Sequence, residues 1–266
     1  MPDHPEVARL KIKPRLDDIF VLLLVVVVVL FYFVAQGTHA LLLFANYGLI
    51  AFVGSAGVLG LVSSIRLRKS LPGFLSLGFA VGLIVWMLGL AVYSYTYLIA
   101  GVDLPYVSLA DVFYFLSYPP MILGCIGLLR LFASSLRKVD WVVMAVVGAS
   151  LFIATVDYVV IPSVQTLSGP LEVLTTVPYP LLDVLVFLLL LPLVFAFRKG
   201  MFQAPYTLLA LGAFLVALGD LVFTYVNLEI GYYDGHPLDL LWFTGCIAYA
   251  YGFWRQHADF KFRQSE

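Results

Sequence analysis

Residues 19–35 read IFVLLLVVVVVLFYFVA, seventeen consecutive residues without a charge. A helix of roughly 20 apolar residues crosses the hydrocarbon core of a bilayer. The polar residues that follow, Gln36 to His39, do not resemble the small-residue site at which a signal peptide is cleaved. This stretch therefore predicts a retained transmembrane helix over about residues 18–36.

The rest of the chain has the same apolar character. Of 266 residues, 62% are hydrophobic and 12% are charged, whereas soluble domains average about 45–50% and about 25%. This composition excludes a soluble enzyme, a nucleic-acid reader and a disordered chain. The sequence predicts an all-α membrane bundle of eight transmembrane helices. Seven further spans are predicted over about 40–64, 72–100, 108–133, 141–162, 170–198, 206–231 and 237–255.

The basic residues predict the orientation. All 15 Lys and Arg residues fall on one side if both termini are cytoplasmic, as the positive-inside rule requires, while most acidic residues fall on the other side or within spans. We expect a multi-pass protein of the cell membrane, with the lipid bilayer as its surroundings. Its predicted parts are a basic cytoplasmic segment (1–17), the transmembrane domain (18–255) and a short cytoplasmic tail (256–266).

Three predicted outer helix starts carry an acid, namely Asp111, Glu172 and Asp239, at intervals of 61 and 67 residues. A Tyr-Pro pair follows seven residues after the first two, at 118–119 and 179–180. The pattern predicts an internal repeat of two-helix hairpins. Acids at these positions are typical of helix caps, with Ser108 and Asp111 forming a capping box; ligand binding is the alternative.

Three aspartates, Asp157, Asp183 and Asp220, fall inside predicted spans, where an ionised carboxylate costs about 2.5–3.5 kcal/mol at the bilayer centre. No lysine or arginine lies in the interior of a span to pair with them, since those within the predicted bounds lie at the cytoplasmic ends. Two interpretations stay open. The carboxyl groups either link helices by hydrogen bonds, worth about 0.6 kcal/mol each, or form a site for a proton, a cation or a ligand.

Polar residues cluster in the outer halves of the spans. Asp183 lies four residues after Tyr179 on one helix face, and Asp220, Thr224 and Asn227 form a polar stripe. Most tyrosines also map to the outer halves, so we expect an outward-facing cavity of phenols and carboxylates that suits an amine, a cation or an amphipathic molecule. The candidate ligand-binding residues are Asp183, Asp220, Tyr179, Tyr118, Asp157, Asn227, Thr224 and Asp111.

The sequence predicts no cofactor and no enzymatic activity. Every lysine lies at a helix boundary, which excludes a retinal Schiff base within a span, and the four histidines are divided between the two sides, which does not favour haem. No hydrolase, P-loop or Cys/His motif occurs, and whether a metal ion binds stays open. Gly78 and Gly82 satisfy the G-x-x-x-G pattern of packed helices, which leaves a homodimer open.

Residues 108–119 read SLADVFYFLSYP. This stretch resembles the S-x-A-D-x-x-Y-x-x-x-Y-P pattern in the multi-span N-terminal membrane sensor module of prokaryotic diguanylate cyclases, phosphodiesterases and histidine kinases. The resemblance extends over about residues 20–255, with Tyr179-Pro180-Leu-Leu-Asp183 and Gly219-Asp220 as its further matching parts. Three features depart from the pattern. The second hairpin has Glu172 in place of Asp, the third hairpin lacks the Tyr-Pro pair, and no kinase or cyclase sequence follows span 8 within residues 1–266.

The resemblance implies a signal-input module. On this hypothesis a small ligand or cation binds among the outer-half residues and shifts the helix packing, and the change reaches a cytoplasmic signalling domain or protein. The alternative is a secondary transporter or channel that uses Asp183 and Asp220 as a proton or cation site. The nearly apolar inner halves of spans 1, 6 and 8 favour the sensor.

Overall fold

The computed structural model describes residues 15–68, 70–102, 107–167, 169–198 and 203–263, and the regular structure within them is entirely helical. The long helices are α1 (Leu16–Val34), α2 (His39–Arg66), α3 (Leu71–Ser94), α4 (Leu109–Phe132), α5 (Lys138–Thr166), α6 (Pro170–Ala196, interrupted at Val177), α7 (Gln203–Glu229) and α8 (Asp239–Arg263). One π-helical turn lies within α2 at Phe44–Gly48, one within α5 at Val156–Val160, and one extends α3 at Tyr95–Ile99.

Seven of these helices, α1 to α7, are long and apolar enough to cross a membrane, which confirms the all-α bundle of apolar helices. The eighth predicted span corresponds to α8, which is long but less apolar because it combines aromatic and small residues with polar ones in its last turns. Packing explains the difference. Helix α8 contacts α1, α2 and α7 and buries Phe243, Cys246 and Phe253, so it needs fewer aliphatic side chains than α1, whose surface is largely exposed.

Consecutive helices run in opposite directions, so the bundle has two chemically different ends. We name the end at which α1 begins and α8 finishes the basic end, because it carries the arginines of the helix boundaries. There Arg15 Nη1 lies 2.7 Å from Asp259 Oδ1, and Arg198 Nη1 lies 2.8 Å from Asp140 Oδ2. We name the opposite end the cavity end. That the basic end faces the cytoplasm stays a prediction.

The termini differ from the predicted parts. Residues 1–14 of the predicted basic segment and residues 264–266 lie outside the described residues. Helix α8 continues to Arg263, so no structural boundary separates residue 255 from the predicted tail. The last turns of α8 are therefore an extension of the bundle.

Helices α3 and α4 share an extensive contact, and it is built on glycines. A methyl group added at Gly82 would lie 2.5 Å from the carbonyl oxygen of Ser117, and one at Gly78 would meet the carbonyl oxygen of Pro120. Small residues allow two helix backbones to approach this closely. The G-x-x-x-G pair is therefore used for packing within the chain and does not offer a free face for a homodimer.

Two of the three predicted helix starts have the expected register, and the first of them has the expected cap. Ser108 and Asp111 form the capping box, with the Asp111 carboxylate 2.6 Å from the Ser108 backbone nitrogen, and α6 begins with its proline first and Glu172 third. The third prediction is wrong in register, because α8 begins at Asp239 and not at Pro237. The Asp239 side chain turns back to the preceding loop, where it accepts a hydrogen bond from the Gly235 backbone.

Candidate ligand-binding site

A cavity of about 580 Å³ lies at the cavity end, between α2, α3, α4, α6, α7 and α8. Sites for small molecules typically have volumes of about 300–1,000 Å³. Its walls combine apolar and aromatic side chains with polar groups that converge from different helices. Five aspartates line it: Asp111, Asp183, Asp220, Asp234 and Asp239.

The cavity has a one-sided charge. Among the described residues that line it there is no lysine, arginine or histidine, although five carboxyl groups are present. Charges interact more strongly in the low dielectric of a protein interior than in water. The cavity therefore favours a positively charged or proton-donating occupant over an anion.

The deepest acids are Asp183 of α6 and Asp220 of α7, whose carboxyl groups lie beside each other. Asp220 is held by α8, because the indole nitrogen of Trp242 donates a hydrogen bond of 2.7 Å to its Oδ1. The Tyr118 hydroxyl lies next to Asp183, yet Asp183 Oδ2 accepts no hydrogen bond from the described residues. Two carboxylates in contact repel each other unless a proton or a cation lies between them.

A second pair of side chains connects α4 to α6. The Tyr179 hydroxyl donates a hydrogen bond of 2.6 Å to Asp111 Oδ1, while the other carboxylate oxygen caps α4 through Ser108. The Tyr179 ring stacks on Phe115 at a centroid distance of 4.6 Å. Asp111 thus caps α4 and contacts a side chain of the cavity at the same time, so helix capping and ligand binding are compatible roles for this residue.

The loop between α7 and α8 forms the mouth of the cavity. Asp239 accepts hydrogen bonds from the hydroxyls of Tyr232, at 2.8 Å, and Tyr32, at 3.2 Å. Asn46, in the π-helical turn of α2, donates a hydrogen bond of 3.0 Å to Asp234 Oδ2. Gly235 has a positive φ of 91°, a conformation that favours glycine, and its N–H points to Asp239.

The pH dependence of stability is expected to report on Asp234, which lies in this loop. Burial raises the pKa of Asp234 above its ordinary value, although hydrogen bonds from Asn46, Tyr232 and Tyr93 oppose the shift. An acid with a raised folded-state pKa stabilises the fold at low pH and loses that contribution as the pH rises. We expect the thermal unfolding midpoint of Asp234→Asn to rise relative to that of wild type as the pH rises from about 4 to about 7.

The neighbouring acids titrate in both proteins, so their contribution to the pH dependence largely cancels in the difference between the two midpoints. Asn227→Gln, which changes no titratable group of the cavity wall, serves as the control and should keep a constant difference in midpoint from wild type across the same pH range. A constant difference in midpoint between Asp234→Asn and wild type at every pH would contradict the raised pKa.

The structure brings seven of the eight predicted candidate residues to the cavity. They are Asp183, Asp220, Tyr179, Tyr118, Asn227, Thr224 and Asp111. Thr224 donates its hydroxyl to the Asp220 backbone carbonyl, at 2.9 Å. Asp157 does not line the cavity and is exposed, as is Ser150 on the same helix. Their helix, α5, packs at the edge of the bundle and turns this polar face outward.

Sequence reasoning did not single out Trp242 or Asp234 as site residues. Trp242 lies three residues after Asp239 on α8, a spacing that places both on one helix face, and this was the available signal. Asp234 comes from a loop, and its contact with Asn46 joins residues 188 positions apart. No spacing rule links such positions.

Comparison with known proteins gives no match to a protein-family model, a curated protein or a solved structure. The seven long apolar helices are those of a multi-pass membrane protein. The fold therefore defines the class of protein, a multi-pass membrane protein, and the candidate site rests on the geometry of the cavity alone.

Proposed function

We propose that this chain is a membrane signal-input module that binds a small ligand or cation in the cavity and relays binding to a cytoplasmic partner. The observation that carries the proposal is the course of α8. Its first turns contribute Asp239 and Trp242 to the cavity, and its last turns contribute Arg255 and Asp259 to the basic end. One rigid element therefore connects the cavity to the opposite end.

The cavity is open toward one end and closed toward the other. At its floor, Tyr249 packs edge-on against Phe79 at a centroid distance of 5.2 Å, and Phe79 packs against Phe253 at 6.1 Å. These three rings are buried. An aromatic layer of this kind supports binding from one side, as a sensor requires, more than passage through the bundle.

The basic end offers a contact network that a shift of α8 would change. Arg255 Nη1 lies 3.0 Å from Asp18 Oδ1 of α1, and Arg15, which precedes α1, pairs with Asp259 of α8. The Tyr251 hydroxyl also donates to Asp18. Signalling requires that the ligand bind two states of the bundle with different affinity, and this α1–α8 contact is the element we expect to differ between them.

A secondary transporter is the alternative, and one observation favours it. Below the aromatic layer, Gln256 donates a hydrogen bond of 3.1 Å to Ser76 and accepts one of 3.4 Å from Ser63. These three side chains are buried. A buried polar cluster on the basic side is a feature that a proton path through the bundle would use.

Thermal unfolding of the purified protein with sodium, potassium, calcium, amines and lipids at equal ionic strength tests the proposal. A ligand that binds the folded state alone stabilises it by about 2.7 kcal/mol at 100 times its Kd. We expect a rise in the unfolding midpoint that is lost in Asp183→Asn or Asp220→Asn. The exposed Asp157→Asn is the matched control and should keep the rise.

Spin labels then distinguish a sensor from a transporter. The native cysteines, Cys125 and Cys246, are buried, so labels attach to Ser135→Cys and Ala258→Cys at the basic end. A stabilising ligand is expected to change the distance between the labels without flux of that ligand into liposomes. Flux with no distance change would favour the transporter, and no stabilisation by any compound would overturn both.

A further inference from the structure

Asp183 Oδ2 is the unpaired acceptor of the cavity. The Asp183 side chain belongs to a residue only 8% exposed, and Oδ2 has no hydrogen-bond partner among the described residues. The other four cavity acids each accept at least one hydrogen bond. The donors are Tyr179 for Asp111, Trp242 for Asp220, Asn46 for Asp234 and Tyr232 for Asp239. A buried acceptor without a donor is unfavourable because it has lost its hydrogen bonds to water, so this atom marks where a donor from a ligand fits.

The donor that fits this position carries a positive charge. Asp183 lies beside Asp220, and no basic residue among the described lining residues balances the two carboxyl groups. A cationic donor therefore satisfies the unpaired oxygen and relieves the repulsion between the acids at once. A neutral hydroxyl would satisfy the unpaired oxygen but would not relieve the repulsion.

The walls indicate an organic cation in preference to a metal ion. The described residues contain no group of three or more His, Cys, Asp or Glu side chains placed to hold a metal. The cavity volume of about 580 Å³ far exceeds the size of one ion, and aromatic rings, among them Tyr118, Trp242 and Tyr249, line its deep part. Rings of this kind attract organic ammonium groups through cation–π interactions.

We propose that the cavity binds a protonated organic amine whose N–H donates a hydrogen bond to Asp183 Oδ2, with its carbon skeleton among the aromatic rings. This inference rests on the proposed ligand-binding function of the cavity and names the chemical class of the ligand. A primary amine has N–H donors and a charge, whereas a quaternary ammonium ion has the charge without a donor.

Isothermal titration calorimetry of the full chain with three related probes tests the inference. They are 2-phenylethylamine, which has the charge and the donor, 2-phenylethanol, which has the donor alone, and benzyltrimethylammonium, which has the charge alone. We expect the amine to bind at least about tenfold more tightly than either of the others, because a hydrogen bond to a charged group is worth at least a factor of about 10. Asp183→Asn should abolish that preference and Asp157→Asn should retain it.

The comparison among probes uses the wild-type protein, so it stands even if Asp183→Asn does not fold. Equal affinity for the amine and benzyltrimethylammonium, or Asp183-dependent stabilisation by sodium or potassium alone, would overturn the amine and leave the proposed cation-binding cavity intact. If no probe and no salt binds the folded wild type, the proposed function fails with the inference. A retained amine preference in Asp183→Asn would overturn the assigned contact.

Discussion

Asp239→Ala is expected to lower the free energy of unfolding by about 3–5 kcal/mol, which makes it one of the two most damaging substitutions we predict. Asp239 is 2% exposed and accepts hydrogen bonds from Tyr32, Tyr232 and the Gly235 backbone. Alanine leaves these three donors without their acceptor, and each unsatisfied buried donor costs about 1–3 kcal/mol.

The substitution acts at a junction of the fold. Tyr32 belongs to α1, Tyr232 to the loop after α7, and Asp239 begins α8, so its loss separates three segments at the mouth of the cavity. Reversible unfolding in mixed micelles measures the change. Asp157→Ala, which removes an exposed carboxylate from α5, is the matched control and is expected within about 0.5 kcal/mol of wild type. Similar losses in the two variants would contradict the role assigned to Asp239.

The fold was largely predictable because membrane spans are determined by apolar length and by flanking charge. The run of residues 19–35 predicts α1 almost to its observed bounds, Leu16–Val34. The position of α8 inside the bundle was less accessible, because burial against α2 and α7 allows a helix to be less apolar than its lipid-facing neighbours. Hydropathy measures contact with lipid and does not report which helix is central.

The site was predictable where helix periodicity applies. Tyr179 and Asp183 lie four residues apart on α6, and both line the cavity as expected. The prediction that Asp157 lines the cavity was wrong, because periodicity places a residue on one face of its helix but does not show whether that face turns toward the bundle. In α5 the polar face turns away from the bundle. The partner of Asp220, Trp242, comes from another helix and depends on tertiary packing.

The second large effect is expected from Gly82→Ala, at the contact of α3 with α4. The added methyl group would meet the Ser117 backbone carbonyl at 2.5 Å and also the Met121 side chain. The nearest Met121 atom is Cγ, which lies close to the main chain, and a helix backbone cannot yield without separating the two helices. We therefore expect a loss of about 2–3 kcal/mol in the free energy of unfolding, measured in the same micelles.

Gly148→Ala separates this packing effect from the general effect of replacing a helical glycine. A methyl group at Gly148 would lie 3.3 Å from a terminal methyl of Leu188, which can rotate away. Alanine favours a helix over glycine by about 1 kcal/mol, so this control is expected to be neutral or stabilising. If both variants lose equal stability, the close approach of α3 and α4 is not what Gly82 provides. If Gly82→Ala alone is destabilised, the loss extends to the cavity, because Ser117 and Met121 also line it, and ligand-dependent stabilisation should weaken with the fold.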